Sequence, residues 1–289
     1  MFDGRSFPKR YGTDAQLFDY NSGSINQKWT FEVINNINHI GDIKIGITSD
    51  SYRSGSSERC TYGGRVSGQC ADWFAQYISG AMYTGYNNRV ITFNRKDSQA
   101  SKKDLQSKHF YSNPNENIDD VDFMVFIGHG LTATGLHFSF GANGELHSAS
   151  PGNHTPDCFN FKHSEAKFGY GNARTKWVLA YTCNFLTPYI STTKQMLQGA
   201  HMVLSYGSTS YLIRNQLGAV GLDLKLAEKN IIDAYLASGD IHAAYNSSYI
   251  KLSVIYVQSA RYDTIYNYKY NVGTYQTETI SIITREVNK

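Results

Sequence analysis

Two stretches of this chain, residues 121–127 (VDFMVFI) and 176–181 (KWVLAY), are apolar almost without interruption over a strand's length. A strand with one wet face alternates polar and apolar residues, so a continuous run marks burial on both faces. A parallel sheet covered on both sides meets that requirement, and the neighbouring segments agree with it. Residues 42–48 (DIKIGIT), 89–94 (RVITFN) and 201–206 (HMVLSY) read as further strands. Residues 71–83 put Trp73, Phe74, Tyr77, Ile78, Ala81 and Met82 on one helical face, a stripe suited to covering a sheet. A short polar helix near 101–109, another around 193–199 and a long amphipathic helix from about 217 to 238 continue the alternation. Alternating strands and helices predict an α/β fold with a mostly parallel central sheet. Two last strands, 253–258 and 279–284, are expected as antiparallel additions at an edge, and 139–172 reads as a long loop region.

The chain has 289 residues, 41% of them hydrophobic and only 18% charged, which is enough apolar material for one large core or two small ones. One domain over 42–289 is expected, preceded by an irregular polar N-terminal arm at 1–41. The net charge is +3 and the basic pairs Lys9-Arg10, Arg95-Lys96 and Lys102-Lys103 are scattered, so no nucleic-acid partner is expected. No stretch reaches the ~20 apolar residues of a membrane helix, so no membrane partner is expected either. The opening residues MFDGRSFPKRY lack the apolar core of a signal peptide, which leaves the compartment open, secretion included if a signal has been removed. Of the four cysteines, Cys60 and Cys70 read equally as a disulfide across a Gly-rich loop or as two free thiols.

In an open parallel sheet, ligands bind beyond the carboxyl ends of the strands. One buried run here leads into Gly128-His129-Gly130 and another into Thr182-Cys183-Asn184. Glycines on both sides of His129 let the backbone turn sharply there. Cys183, at a strand exit and ahead of an expected helix, is placed for its thiolate to be favoured by a helix dipole and an imidazole. A tight turn and an ordinary buried cysteine are the plain alternatives; what favours chemistry is the pair, at matching positions on two strands.

An apolar run ending in His-Gly, a spacer and a second run ending in Cys, here FMVFI-Gly128-His129-Gly130 and WVLAY-Thr182-Cys183, resembles the cysteine-peptidase clan of caspases, legumain, gingipain, clostripain and separase. ADWFAQYISGAM, RVITFN and SKKDLQ look like that clan's first helix, second strand and second helix. Within the clan, DDVDFMVFIGHG with KWVLAYTC and QGAHMVLSYGS is similar to a bacterial and fungal family of unknown function distantly related to the gingipains. The resemblance covers about 42–215 and implies a caspase-like three-layer sandwich and a cysteine endopeptidase acting on a peptide or protein substrate without a cofactor.

It further implies that Cys183 attacks the peptide carbonyl and that His129 polarises it or protonates the leaving amine. The N–H groups of Gly130 and Cys183 would form the oxyanion hole. Ser205, Tyr206, Gly207, Ser208 and Thr209 would line the substrate pocket, with an extended peptide pairing alongside. For that last set, a core strand ending in a polar turn is the plain alternative. The chain departs from its relatives at Thr182, where many have an acidic residue or Ala, and at Leu186 and Thr187, where small residues are common. No acidic group for the base of an Arg or Lys pocket is evident. Arg214 lies roughly where caspases carry an arginine that holds an acidic side chain, a solvated arginine being the plainer reading. The short segment after Cys183 leaves little room for a cleavable linker, and no acidic run suggests a calcium site.

Three rival readings carry different chemistry. Cys70 in SGQCADWF could be a nucleophile at a helix N-terminus, as in transglutaminase-like or papain-like enzymes. His147, His154, Cys158 and His163 are metal-ligand residue types, although their spacing lacks the close pairs of a zinc site. A catalytically inactive pseudopeptidase would keep the fold and bind peptides.

Overall fold

The computed structural model describes residues 43–50, 66–79, 91–131, 135–137, 160–187, 193–226, 229–245, 249–268, 274 and 276–288. The N-terminal arm, Cys60, Ala81, Met82, His147, His154 and Cys158 lie outside them.

The continuous apolar runs become the centre of a sheet. In chain order its strands are β1 (Ile45–Ser49), β2 (Ile91–Lys96), β3 (Phe123–Ile127), β7 (Trp177–Tyr181), β8 (Met202–Tyr206), β9 (Ile250–Val257) and β10 (Ile280–Val287). They lie in the order β10-β9-β8-β7-β3-β1-β2. Strands β1, β2, β3, β7 and β8 are parallel. Every residue of β1, β3, β7 and β8 is buried, which is why these segments read as unbroken hydrophobic runs. Strand β9 returns antiparallel to β8 and β10 antiparallel to β9, the edge addition expected from the sequence. Burial in the middle of β10 alternates between exposed and half-buried residues, as befits an outer strand.

The described helices are α1 (Val66–Ser79), α2 (Arg214–Leu226), α3 (Ile231–Ala237) and α4 (Gly239–Tyr245). Helix α1 buries Cys70, Ala71, Phe74 and Ile78, and Phe74 stacks on Phe123 of β3 with ring centroids 6.0 Å apart. Helix α2 lies closely on α1, because Gly218 leaves room for Trp73 and Tyr77 and Gly221 lets the backbone meet the Phe74 carbonyl.

Paired residues on parallel neighbours point to the same face, so Phe123, Trp177 and Met202 share a face with Ile127, Tyr181 and Tyr206. This face meets the helices: Tyr181 and Tyr206 donate to Gln216 of α2, and Arg285 of β10 donates to the Leu236 carbonyl of α3. The other face carries Thr48, Phe126, Ala180 and Ser205. There Asp104, in a 3-10 turn at Lys102–Asp104, accepts from Thr48 Oγ1 at 2.8 Å and from Arg95. Helices, sheet and this further cover make three layers, the arrangement the resemblance implies, around the mostly parallel sheet that the alternation of strands and helices predicts.

Several local expectations are corrected. The helix expected at 101–109 is a single 3-10 turn, because the Asp104 carboxylate is engaged by Ser101, Thr48 and Arg95 and holds the turn against the sheet. Only Thr193 and Lys194 are helical within 193–199. Here Gln198 and Ala200 give their N–H groups to the Phe168 carbonyl, and Gly199 takes φ 134°, a conformation open to glycine. The expected long helix at 217–238 is α2 followed by α3, which starts afresh where the Asn230 side chain accepts from the Asp233 N–H. Within 139–172, residues 160–162 form a strand, and 163–165 and 170–172 form 3-10 turns.

Candidate functional site

Strand order reverses between β1 and β3, since β2 was laid down on the outer side of β1 and the chain then returned to the inner side. Such a reversal opens a crevice at the carboxyl ends of the strands. Strand β3 leaves the sheet there through Gly128, whose N–H still donates to the Tyr181 carbonyl of β7 at 3.4 Å. Immediately afterwards the chain enters a second, three-stranded antiparallel sheet made of β4 (His129–Leu131), β5 (Gly135–His137) and β6 (Asn160–Lys162). His129 is therefore held between two sheets, with its backbone fixed on both sides.

Register sets the geometry of the pair. Ile127 is level with Tyr181 where the parallel pairing ends, and two residues further on each chain come His129, the first residue of β4, and Cys183, the first residue of a turn. Their backbones converge. A side chain at Gly130 would overlap the Cys183 carbonyl oxygen and come within 2.8 Å of Thr182 Oγ1. Both His129 and Cys183 are half-buried.

Cys183 to Leu186 form a turn, so among the described residues no helix starts at the sulfur. Asn184 takes φ 55°, in the left-handed region that asparagine tolerates better than most residues. The turn is tied to the exit of β8: Asn184 N–H donates to the Ser208 carbonyl at 3.0 Å and Leu186 N–H to the Tyr206 carbonyl at 3.1 Å.

The sulfur itself rests on Ser210, a residue that sequence reasoning stopped one position short of. The thiol donates to the Ser210 carbonyl at 3.1 Å and accepts from the Ser210 N–H at 3.2 Å, with the hydroxyl at 3.8 Å. The only sequence signal was the run Ser208-Thr209-Ser210 after a buried strand.

Of the expected pocket set, Ser205 and Tyr206 are fully buried. Ser205 donates to the Thr182 carbonyl, and the Tyr206 hydroxyl faces Gln216 and His242 inside the core. Gly207 and Ser208 are half-buried and Thr209 is exposed, so these three form the part of the set that reaches the surface. Arg214 is exposed and sits over the Trp73 ring, 5.0 Å from its centroid.

The rival nucleophile, Cys70, is in the second turn of α1 and fully buried as a free thiol. Burial pushes its thiol up to about 12, with Arg214 opposing weakly, which makes it a poor nucleophile at neutral pH. Of the four residues in the metal reading, His163 is described: it packs edge-on against Phe185, and burial lowers its pKa. Among the described residues, no group of three or more His, Cys, Asp or Glu is placed to hold a metal ion, and no helix is long and apolar enough to cross a membrane.

A family model described as a domain of unknown function, DUF6345, matches residues 75–281, which span both strand exits. No curated protein matches the chain.

Proposed function

The chain belongs to the DUF6345 family, and on that premise we propose that it is a cysteine endopeptidase whose dyad is His129 and Cys183. The observation that carries this reading is the shared register of the two exits, with the Gly130 backbone set against the Cys183 carbonyl. His129 opens β4 directly after β3, and Cys183 opens a turn directly after β7 that is hydrogen-bonded to the exit of β8, so both reactive side chains are seated against buried strands, which is what a dyad requires.

In the proposed reaction, the Cys183 thiol gives its proton to His129, Sγ bonds to the carbonyl carbon of an extended peptide, and the carbonyl oxygen becomes an oxyanion. The N–H groups of Gly130 and Cys183 are the proposed donors to it. His129 delivers a proton to the departing amine as the C–N bond breaks, and water then cleaves the thioester. The caspase- and gingipain-like motifs at FMVFI-Gly128-His129-Gly130 and WVLAY-Thr182-Cys183 support the same assignment.

The test pairs a fluorogenic peptide library with mass-spectrometric mapping of iodoacetamide labelling. Cys183→Ala and His129→Ala are each expected to keep the fold and lose at least ~10³-fold in turnover. Labelling of Cys183 in the wild type should be faster than that of the buried Cys70 and should fall in His129→Ala. Turnover that survives Cys183→Ala refutes the assignment. Peptide binding without turnover in any form would instead identify a peptide-binding pseudopeptidase.

A further inference from the structure

We propose that residues 207–213 act as a latch that holds the Cys183 thiol at rest, that Tyr181 secures the latch, and that an extended peptide releases it. This rests on the reading of Cys183 as nucleophile. The segment leaves β8 at Tyr206 and enters α2 at Arg214 without regular structure of its own. Its beginning is tied to β9: Gly207 N–H donates to the Lys251 carbonyl at 2.8 Å, and Ser208 Oγ accepts from the Lys251 N–H at 2.8 Å.

Past Ser208, Leu212 packs against the core, and two hydrogen-bonded anchors among the described residues come from the exit of β7. One is the pair of contacts between Cys183 Sγ and the Ser210 main chain. The other is Tyr181, two residues earlier, whose hydroxyl accepts from the Ile213 N–H at 3.1 Å. The same hydroxyl donates to Gln216 Oε1 at 2.7 Å, and Gln216 is held in turn by Tyr206 and Ser238. The anchor is thus part of the core, whereas Thr209 and Tyr211 of the segment are exposed.

A thiol has one proton to donate and a weakly accepting sulfur. Ser210 engages both, so the proton that His129 must receive is directed at a main-chain carbonyl instead. An incoming strand pairs through main-chain N–H and C=O groups. A peptide that paired with Ser210 would take the two groups that now hold the sulfur, so substrate docking and thiol release would be one event.

The test is Tyr181→Phe, which removes the hydroxyl and leaves the ring. Of the two hydrogen bonds lost, the one from Ile213 holds the segment, and losing that bond of ordinary strength should raise the rate of Cys183 labelling by iodoacetamide about 5-fold at neutral pH, while Cys70 stays protected. Tyr235→Phe is the control, since the Tyr235 hydroxyl is buried with no hydrogen-bond partner among the described residues, and its labelling rate should match wild type. An unchanged or slower rate in Tyr181→Phe with Cys70 protected overturns the proposal.

If Tyr181→Phe also exposes Cys70, hydrogen exchange in the wild type decides. A common opening rate for the Ser210 and Ile213 amides supports a latch, and independent rates overturn it. Labelling needs no peptide cleavage, so the two readings separate. Faster labelling with no turnover in any form removes the peptidase and keeps the latch; turnover that depends on Cys183, with labelling indifferent to Tyr181, does the reverse.

Discussion

Gly130 stands where two backbones meet, and the space for a side chain is already filled by the Cys183 carbonyl and Thr182 Oγ1. A main-chain atom cannot rotate away as a flexible side chain can, so the exit of β3 or of β7 must shift to admit even a methyl group. Gly130→Ala is expected to cost roughly 1–3 kcal/mol by overpacking and to reduce turnover by more than its loss of folded protein explains. Denaturant melts alongside the peptide assay will separate the two effects. The Ser210 contact shows the same sensitivity at a neighbouring residue, because two main-chain groups and not a side chain determine what the sulfur faces.

Among the elements, the exits of β1 and β2 depend on one carboxylate. Asp104 joins Thr48 of β1, Arg95 of β2 and Ser101 of its own turn. Burial raises its pKa, and Arg95 is the largest influence opposing that rise. Removing the carboxylate leaves a guanidinium and a buried hydroxyl without this partner, so Asp104→Ala is expected to cost roughly 3 kcal/mol, read as a lower denaturation midpoint with unchanged slope. Because β1 borders the crevice at the reversal of strand order, the variant should also slow Cys183 labelling if the edge of the sheet loosens around β3.

For the whole molecule, the helix-side core carries a polar cluster that makes stability depend on pH. His242 is fully buried near Gln216 and Tyr206, and burial lowers its pKa to about 4. An unfolded chain takes up that proton near pH 6.5, so between these values the unfolded state binds more protons and stability rises with pH. Acidification from 6.5 towards 4 is therefore expected to remove up to roughly 3 kcal/mol. His242→Asn, which retains an amide near Gln216, should flatten that limb in urea melts taken across the range. The buried phenols of Tyr181, Tyr206 and Tyr235 are pushed up by burial, which places their effect on the alkaline side with the opposite slope.

Much of this was legible in the residues. Phe123–Ile127 and Trp177–Tyr181 are apolar at every position, so burial on both faces and a covered parallel sheet followed from the local pattern alone. Each run ends before its reactive residue by the same short step, so the sequence alone places His129 and Cys183 just beyond the ends of two buried strands. What the pattern did not carry were choices made by distant partners. The turn at Lys102–Asp104 depends on Thr48 and Arg95, and the interrupted helix near 193–199 depends on the Phe168 carbonyl. Tyr206, expected in the pocket, turns inward because Gln216 and His242 wait on that face. Periodicity records which residues are buried and which way strands run; which main-chain group finally meets the Cys183 sulfur is decided by packing between segments far apart in the chain, and only the tertiary structure holds that answer.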